Sequence, residues 1–187
     1  MKRSEINRAV GHALEAFRAA GWTLPPSPRW DVTDFGLGDF TRFGLVLVNL
    51  AEEAEYCEKL MWAAHGMVTP AHTHRKKKED IIARRGTLRV RVWPDADLST
   101  RALTVRVNGI SVEVAGGDDI LLPDGHRITL LPGQFHAFES ITPDCVIGEV
   151  STANDDAHDN IFVRRDIGRF AFIEADEPAT MRVVSDA

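Results

Sequence analysis

Hydrophobic positions along the chain change from a helical to a strand-like period near residue 30. In the first segment Ile6, Val10, Ala13, Leu14 and Phe17 recur at the spacing of one helix face, and Ser4 is placed to cap its start. Gly21 and the run Leu24-Pro25-Pro26-Ser27-Pro28 end the helix, because proline brings no amide hydrogen to continue it. From Trp30 onward, short apolar runs alternate with turn residues. Strands are predicted over residues 43–50, 56–63, 72–74, 80–85, 87–93 and 103–107, then over 111–114, 119–122, 127–130, 136–140, 145–150 and 161–164. Asn108-Gly109 and Asp124-Gly125 are hairpin signals, since both supply the positive φ of a tight turn. Gly66, Gly86, Gly116-Gly117 and Pro132-Gly133 mark further turns.

Strands this short and evenly spaced argue for an all-β sandwich or barrel with the helix packed outside it. One domain is expected over residues 1–187, with a helix over 1–21, a barrel over 40–165 and a C-terminal tail of low order over 166–187.

Composition narrows the class of partner. Of 187 residues, 44% are hydrophobic and 27% charged, ordinary values for a soluble globular chain. The net charge of −6 speaks against a nucleic-acid footprint and leaves a small molecule as the expected ligand. The first residues carry Glu5 and Glu15 and no continuous apolar stretch, so neither a signal peptide nor a membrane span is expected. Cys57 and Cys145 lie far apart in apolar runs and read as two buried free thiols in a reducing compartment, which makes the cytoplasm the expected location.

The chemistry concentrates between Gly66 and Gly86. His72 and His74 are two apart, so in a strand both imidazoles face one side, and Glu79 can return to that side on the next strand. His136, after Leu131-Pro132-Gly133-Gln134-Phe135, supplies a third imidazole. Three histidines and one carboxylate suit a first-row divalent ion with positions left open for water or substrate. Mn²⁺ or Fe²⁺ is favoured over Zn²⁺, because an octahedral site with a carboxylate suits them better; Co²⁺ or Zn²⁺ could stand in their place. His65, His126 and His158 lie near turns and are expected in solvent. Lys59, on the same strand face as Cys57 and Met61, either snorkels to a rim or points a cation at the metal. Glu149 ends an apolar strand and, beside a metal, would make a general base, with burial raising its pKa and the cation opposing that rise. The basic run over residues 75–78 is pinned between two ligands, so at least one of its lysines must lie near the metal.

Gly66, five residues, His72-Thr-His74, four residues, Glu79, six residues, Gly86 matches the first cupin motif at every fixed position. The second motif matches at Gly125, Gly133 and His136, with Pro132 displaced by one and Ser140 where asparagine is common. The chain resembles the cupins, and within them the D-lyxose isomerase family, over roughly residues 1–165. The pieces that carry this are Met1-Lys-Arg-Ser, Trp30-Asp-Val-Thr-Asp-Phe-Gly, Gly44-Leu-Val-Leu, Tyr56-Cys-Glu-Lys-Leu-Met, Thr69-Pro-Ala-His-Thr-His-Arg-Lys-Lys-Lys-Glu-Asp-Ile-Ile, Gly148-Glu-Val-Ser and Asn154-Asp-Asp. The resemblance implies a jelly-roll barrel and a Mn²⁺-dependent isomerase, commonly a homodimer, that converts D-lyxose to D-xylulose and D-mannose to D-fructose. It implies His72, His74, Glu79 and His136 as metal ligands, Glu149, Lys77 and Lys59 as catalytic groups, and Lys59, Lys77 and Asp159 as sugar contacts. The pattern departs at Ile161, where a basic residue would be expected.

The expected chemistry is proton transfer by Glu149 between C1 and C2 of a chelated open-chain sugar, with a hydride shift as its mechanistic rival. Other readings remain open at this point: an iron cupin dioxygenase, a non-catalytic sugar-binding cupin, or a phosphosugar isomerase with Arg84, Arg85 and Arg89 as its phosphate pocket.

Overall fold

The apolar stripe near the start forms a helix, α1 (Arg3–Ala19), that buries Ile6, Val10, Ala13 and Phe17 on one face. It starts ahead of a Ser4 cap: Lys2 holds the capping position, and the Ser4 hydroxyl donates instead to the Asp176 carboxylate at 2.7 Å. The computed structural model describes residues 1–152, 155, 158–168 and 172–186. After α1 come β1 (Arg29–Thr33), a short helix α2 (Phe40–Phe43), β2 (Leu45–Glu52), β3 (Tyr56–Ala64), β4 (His72–His74) and β5 (Glu79–Arg85). They are followed by β6 (Leu88–Trp93), β7 (Ala102–Val107), β8 (Ile110–Ala115), β9 (Ile120–Leu122) and β10 (Arg127–Leu130). β11 (Phe135–Ser140), β12 (Asp144–Thr152), β13 (Asn160–Phe162) and a 3₁₀ turn (Val184–Asp186) complete the order.

The strands form two antiparallel sheets that face each other in a jelly-roll barrel. The larger runs β1-β2-β3-β12-β5-β10-β7-β8 and the smaller β13-β4-β11-β6-β9. Register sorts the side chains of the larger sheet. Trp30, Val48 and Leu60 stand side by side on its outer face, and Phe17 of α1 stacks on Trp30 with centroids 6.1 Å apart. The next inward row joins Asn49, Lys59, Glu149 and Ile81. Because α1 covers one face and the second sheet the other, β2, β3 and β12 read as nearly continuous apolar runs rather than alternating ones.

Two expectations need correction. The barrel begins at β1, before residue 40. The described part of the C-terminal segment is not a loose tail but packs along α1 and β1. Val183 is buried and bridges to Trp30, Asn7 donates to Glu177 and Pro178, and Arg3 forms an ion pair with Asp186. Polar groups rather than an apolar stripe hold much of this segment, which is why hydrophobic periodicity does not announce it. No helix among the described residues is long and apolar enough to cross a membrane. Cys57 and Cys145 are both buried free thiols.

The bond from Arg3 holds the Asp186 carboxyl below its usual range. Its stabilising contribution is therefore complete above the ordinary Asp pKa of about 4 and is lost as pH falls through the lower folded value. Asp186→Asn is expected to cost about 2 kcal/mol at neutral pH, and the gap in thermal midpoint between wild type and variant should close in acid. A gap that does not change with pH would contradict the pairing.

Candidate metal centre and active site

The site forms where the two sheets face each other. His72 and His74 project from β4, and β11 pairs His136 directly with His72. Glu79 begins β5 in the opposite sheet, across the turn at residues 75–78. One ligand atom from each of His72, His74, Glu79 and His136 lies within 4.8 Å of all the others. The displaced Pro132 leaves this intact: Gly133 keeps the turn with φ +85°, and its amide donates to the His74 carbonyl at 2.9 Å.

Backbone carbonyls fix the tautomer of each imidazole. His72 Nδ1 lies 2.9 Å from the Pro70 carbonyl, His74 Nδ1 3.2 Å from that of Asp159, and His136 Nδ1 3.1 Å from that of Gln134. A carbonyl only accepts, so each Nδ1 carries the hydrogen and each Nε2 presents a lone pair. Burial, reinforced by the neighbouring imidazoles His136 and His74, holds the His72 pKa well below the ordinary histidine value, so its ring is neutral. His136 Nε2 then sits 2.9 Å from Glu79 Oε1, acceptor against acceptor. His74 Nε2, His136 Nε2 and Glu79 Oε1 are all buried without a hydrogen-bond partner. Converging lone pairs with nothing donated between them fit a bound cation, and the donor set fits a first-row divalent metal.

Two lysines and a second carboxylate complete the cavity. Lys77 is buried, whereas Arg75, Lys76 and Lys78 of the same turn are exposed. Its Nζ donates to Glu149 Oε1 at 2.9 Å and reaches Glu79 Oε2 at 2.8 Å. Lys59 turns inward, with Nζ 3.4 Å from Glu149 Oε1. Burial works against the Lys77 charge, yet Glu149 and Glu79 outweigh it and its pKa is raised. Burial likewise pushes Glu79 up, but the Lys77 ammonium outweighs it and holds Glu79 well below the usual carboxylate range. For Glu149 burial pushes up while Lys59 and Lys77 pull down, and the lysines prevail. The net direction at Glu149 is downward, so this carboxylate is ionised.

Asp159 is brought to the site by another route. Its carboxylate accepts from the amides of Arg75 at 2.9 Å, Lys76 at 3.2 Å and Lys77 at 3.0 Å, which ties down the turn that carries Lys77. Burial raises its pKa, but these three amides lower it further. Asn154 and Asp156 of the preceding loop lie outside the described residues.

The cavity encloses about 630 Å³, its open mouth included, and is lined by Lys59, Lys77 and Glu149 together with His72, His74 and Glu79. Sequence reasoning missed Asp31 and Thr33 on β1, Phe35 just beyond it, and Phe162 on β13, whereas Asn160, also in the lining, ends a polar stretch whose groups could bind hydroxyls or simply form a turn. A signal for β1 was present: Trp30 and Val32 alternate with Asp31 and Thr33, but here the apolar face meets α1 and the polar face lines the cavity. The arginines expected of a phosphate pocket lie elsewhere. Arg84 stacks over Trp22, Arg85 is exposed, and Arg89 pairs with Asp119 and Glu139. His65, His126 and His158 are exposed.

The D-lyxose isomerase family model matches residues 27–187. The chain is 35% identical over 219 aligned positions to a D-lyxose/D-mannose isomerase of Escherichia coli O157:H7, covering 97% of this chain and 96% of that one. It is 39% identical over 163 positions to a D-lyxose/D-mannose isomerase of Serratia proteamaculans, covering 80% of this chain and 71% of the relative. Among solved structures, an L-ribose isomerase of Cellulomonas parahominis with L-ribose bound has a TM-score of 0.71 at 18% identity. That match covers 93% of this chain and 98% of the other, and at such identity it speaks for the fold. By family match and by relatives aligned along most of its length, the chain belongs to the D-lyxose isomerase family.

Proposed function

We propose that this aldose–ketose isomerase interconverts D-lyxose with D-xylulose and D-mannose with D-fructose by moving a proton between C1 and C2 of the open-chain sugar. The observation that carries the reading is Lys77. One buried ammonium joins a carboxylate of the ligand set, Glu79, to a second carboxylate outside it, Glu149. That places an ionised base at the edge of a metal centre, which is the arrangement carbon–acid chemistry needs.

His72, His74, Glu79 and His136 would hold the ion, and Mn²⁺ is proposed. When bound, such an ion supplies Lewis acidity toward the substrate's carbonyl and hydroxyl oxygens. Glu149 takes the C2 proton of the aldose and returns it to C1, while the O2 hydroxyl proton passes to O1, so that C1 ends as the hydroxyl carbon and C2 as the carbonyl. Both lysines approach its Oε1, so Oε2 is the oxygen proposed to face the sugar. Lys77 and Lys59 hold the base ionised and stabilise negative charge developing on the enediol oxygens. Asp159, first read as a sugar contact, is proposed to position the Lys77 turn instead, since its carboxylate oxygens are engaged by backbone amides. Asn160, beside it, faces the cavity and takes the place of a sugar contact. The dioxygenase, phosphosugar and non-catalytic readings are not favoured. Two buried free thiols suit a reducing compartment, and a cytoplasmic homodimer is part of the proposal.

A panel of free aldoses and ketoses assayed with Mn²⁺ tests the reaction. Conversion of D-lyxose and D-mannose should vanish with chelator and return with Mn²⁺; absent or chelator-insensitive conversion would overturn the function. Glu149→Gln should lower turnover by about 10²–10⁴-fold while metal binding by titration stays near wild type, and near-normal turnover would remove Glu149 as the base. Asp159→Asn should lower kcat with KM little changed. The reverse pattern, a raised KM at normal kcat, would return Asp159 to the sugar.

A further inference from the structure

One residue of the cavity wall adopts a backbone conformation that bulky side chains seldom tolerate. Phe35 has φ +56°, in the left-handed region where Cβ crowds the following carbonyl. The surrounding turn is tied in place. The Phe35 amide donates to Thr33 Oγ1 at 2.8 Å, and its carbonyl accepts from the Gly168 amide at 3.0 Å. The buried carboxylate of Asp34 accepts from the amides of Gly36 at 3.0 Å and Gly38 at 3.1 Å. A Cβ on Gly36 would stand 3.3 Å from the Gly168 nitrogen, so the close approach of these two backbones uses the glycine. What this strained, well-bonded turn achieves is the placement of one ring, a pattern typical of functional sites.

The Phe35 ring is buried, lines the cavity, and packs edge-on to Phe162 with centroids 6.0 Å apart. Phe162 in turn lies 5.4 Å from His72. The order His72, Phe162, Phe35 thus leads away from the ligand set. A sugar held there through C1 and C2 extends by a bond of about 1.5 Å for each further carbon. Its hydroxyl-bearing end needs polar neighbours, which Asp31, Thr33 and Asn160 provide; Leu45, Leu47, Met61 and Ile81, also part of the lining, offer none. The polar row on β1 ends at Phe35.

We propose that Phe35 is a specificity-determining residue whose ring closes the C5–C6 end of the sugar site and sets the balance between five-carbon and six-carbon aldoses. The inference rests on the isomerase reading given above. D-Mannose repeats the C2–C4 configuration of D-lyxose and adds one carbon, so this pair differs only at the end that Phe35 faces.

The test is kcat/KM for D-lyxose and for D-mannose in Mn²⁺-loaded wild type, Phe35→Leu and Phe35→Ala, with metal content per chain and thermal midpoint measured alongside. The mannose-to-lyxose ratio should rise about tenfold in a variant that folds, the usual effect of one carbon's room in a pocket, with metal content unchanged. If the alanine variant does not fold, the leucine variant decides. An unchanged ratio, equal loss on both sugars, or a shift toward D-lyxose would overturn the inference and leave Phe35 as barrel packing. Wild type that converts neither sugar would overturn the proposed function, and this inference with it.

Discussion

The contact on which the site depends is the buried ammonium of Lys77 between Glu79 and Glu149. An unpaired charge at this depth would cost several kcal/mol, so each of the three groups requires the others. The consequences spread outward. Lys77 can reach inward only if the turn at residues 75–78 holds its shape, and the Asp159 carboxylate fixes that turn through three amides. The Asp159 carbonyl also takes the Nδ1 hydrogen of His74, so one residue steadies both an imidazole of the four-residue cluster and the lysine beside it. Glu79 divides its oxygens accordingly, with Oε2 toward Lys77 and Oε1 toward the imidazoles.

The same division explains why a site of charged and polar groups can sit inside an apolar barrel. On β1 and β3 the inward polar side chains alternate with apolar ones that pack outward. On β1, Trp30 and Val32 are buried beneath α1 while Asp31 and Thr33 turn to the cavity. On β3, Leu60 and Trp62 face outward while Lys59 and Met61 face in. Apolar burial on the outer face stabilises the strands, and the inner face is left available for chemistry.

The cluster of His72, His74, Glu79 and His136 was legible because its spacing encodes geometry directly: two histidines at the strand period, then a carboxylate after a turn just long enough to change sheets. His136 remained legible despite the displaced Pro132, since Gly133 still supplies the turn and ties it to β4. Most strand positions also followed from alternation and turn residues. The rest was hidden for physical reasons. β1 escaped because its polar face is the buried, cavity-facing one. The C-terminal segment escaped because hydrogen bonds to Ser4 and Asn7 and the Arg3 ion pair hold much of it. Residue type alone showed Asp159 and Glu149 as carboxylates, but not that one faces backbone amides or that two lysines hold the other ionised.

The central claim is that Glu149, clamped by Lys77, carries a proton between adjacent sugar carbons. Isomerisation of D-lyxose deuterated at C2, with the label followed into product and water over many turnovers, tests it most directly. A carboxylate that holds the proton between removal and return should release part of the deuterium to solvent. Complete retention at C1 of D-xylulose would contradict the account and favour a direct hydride shift.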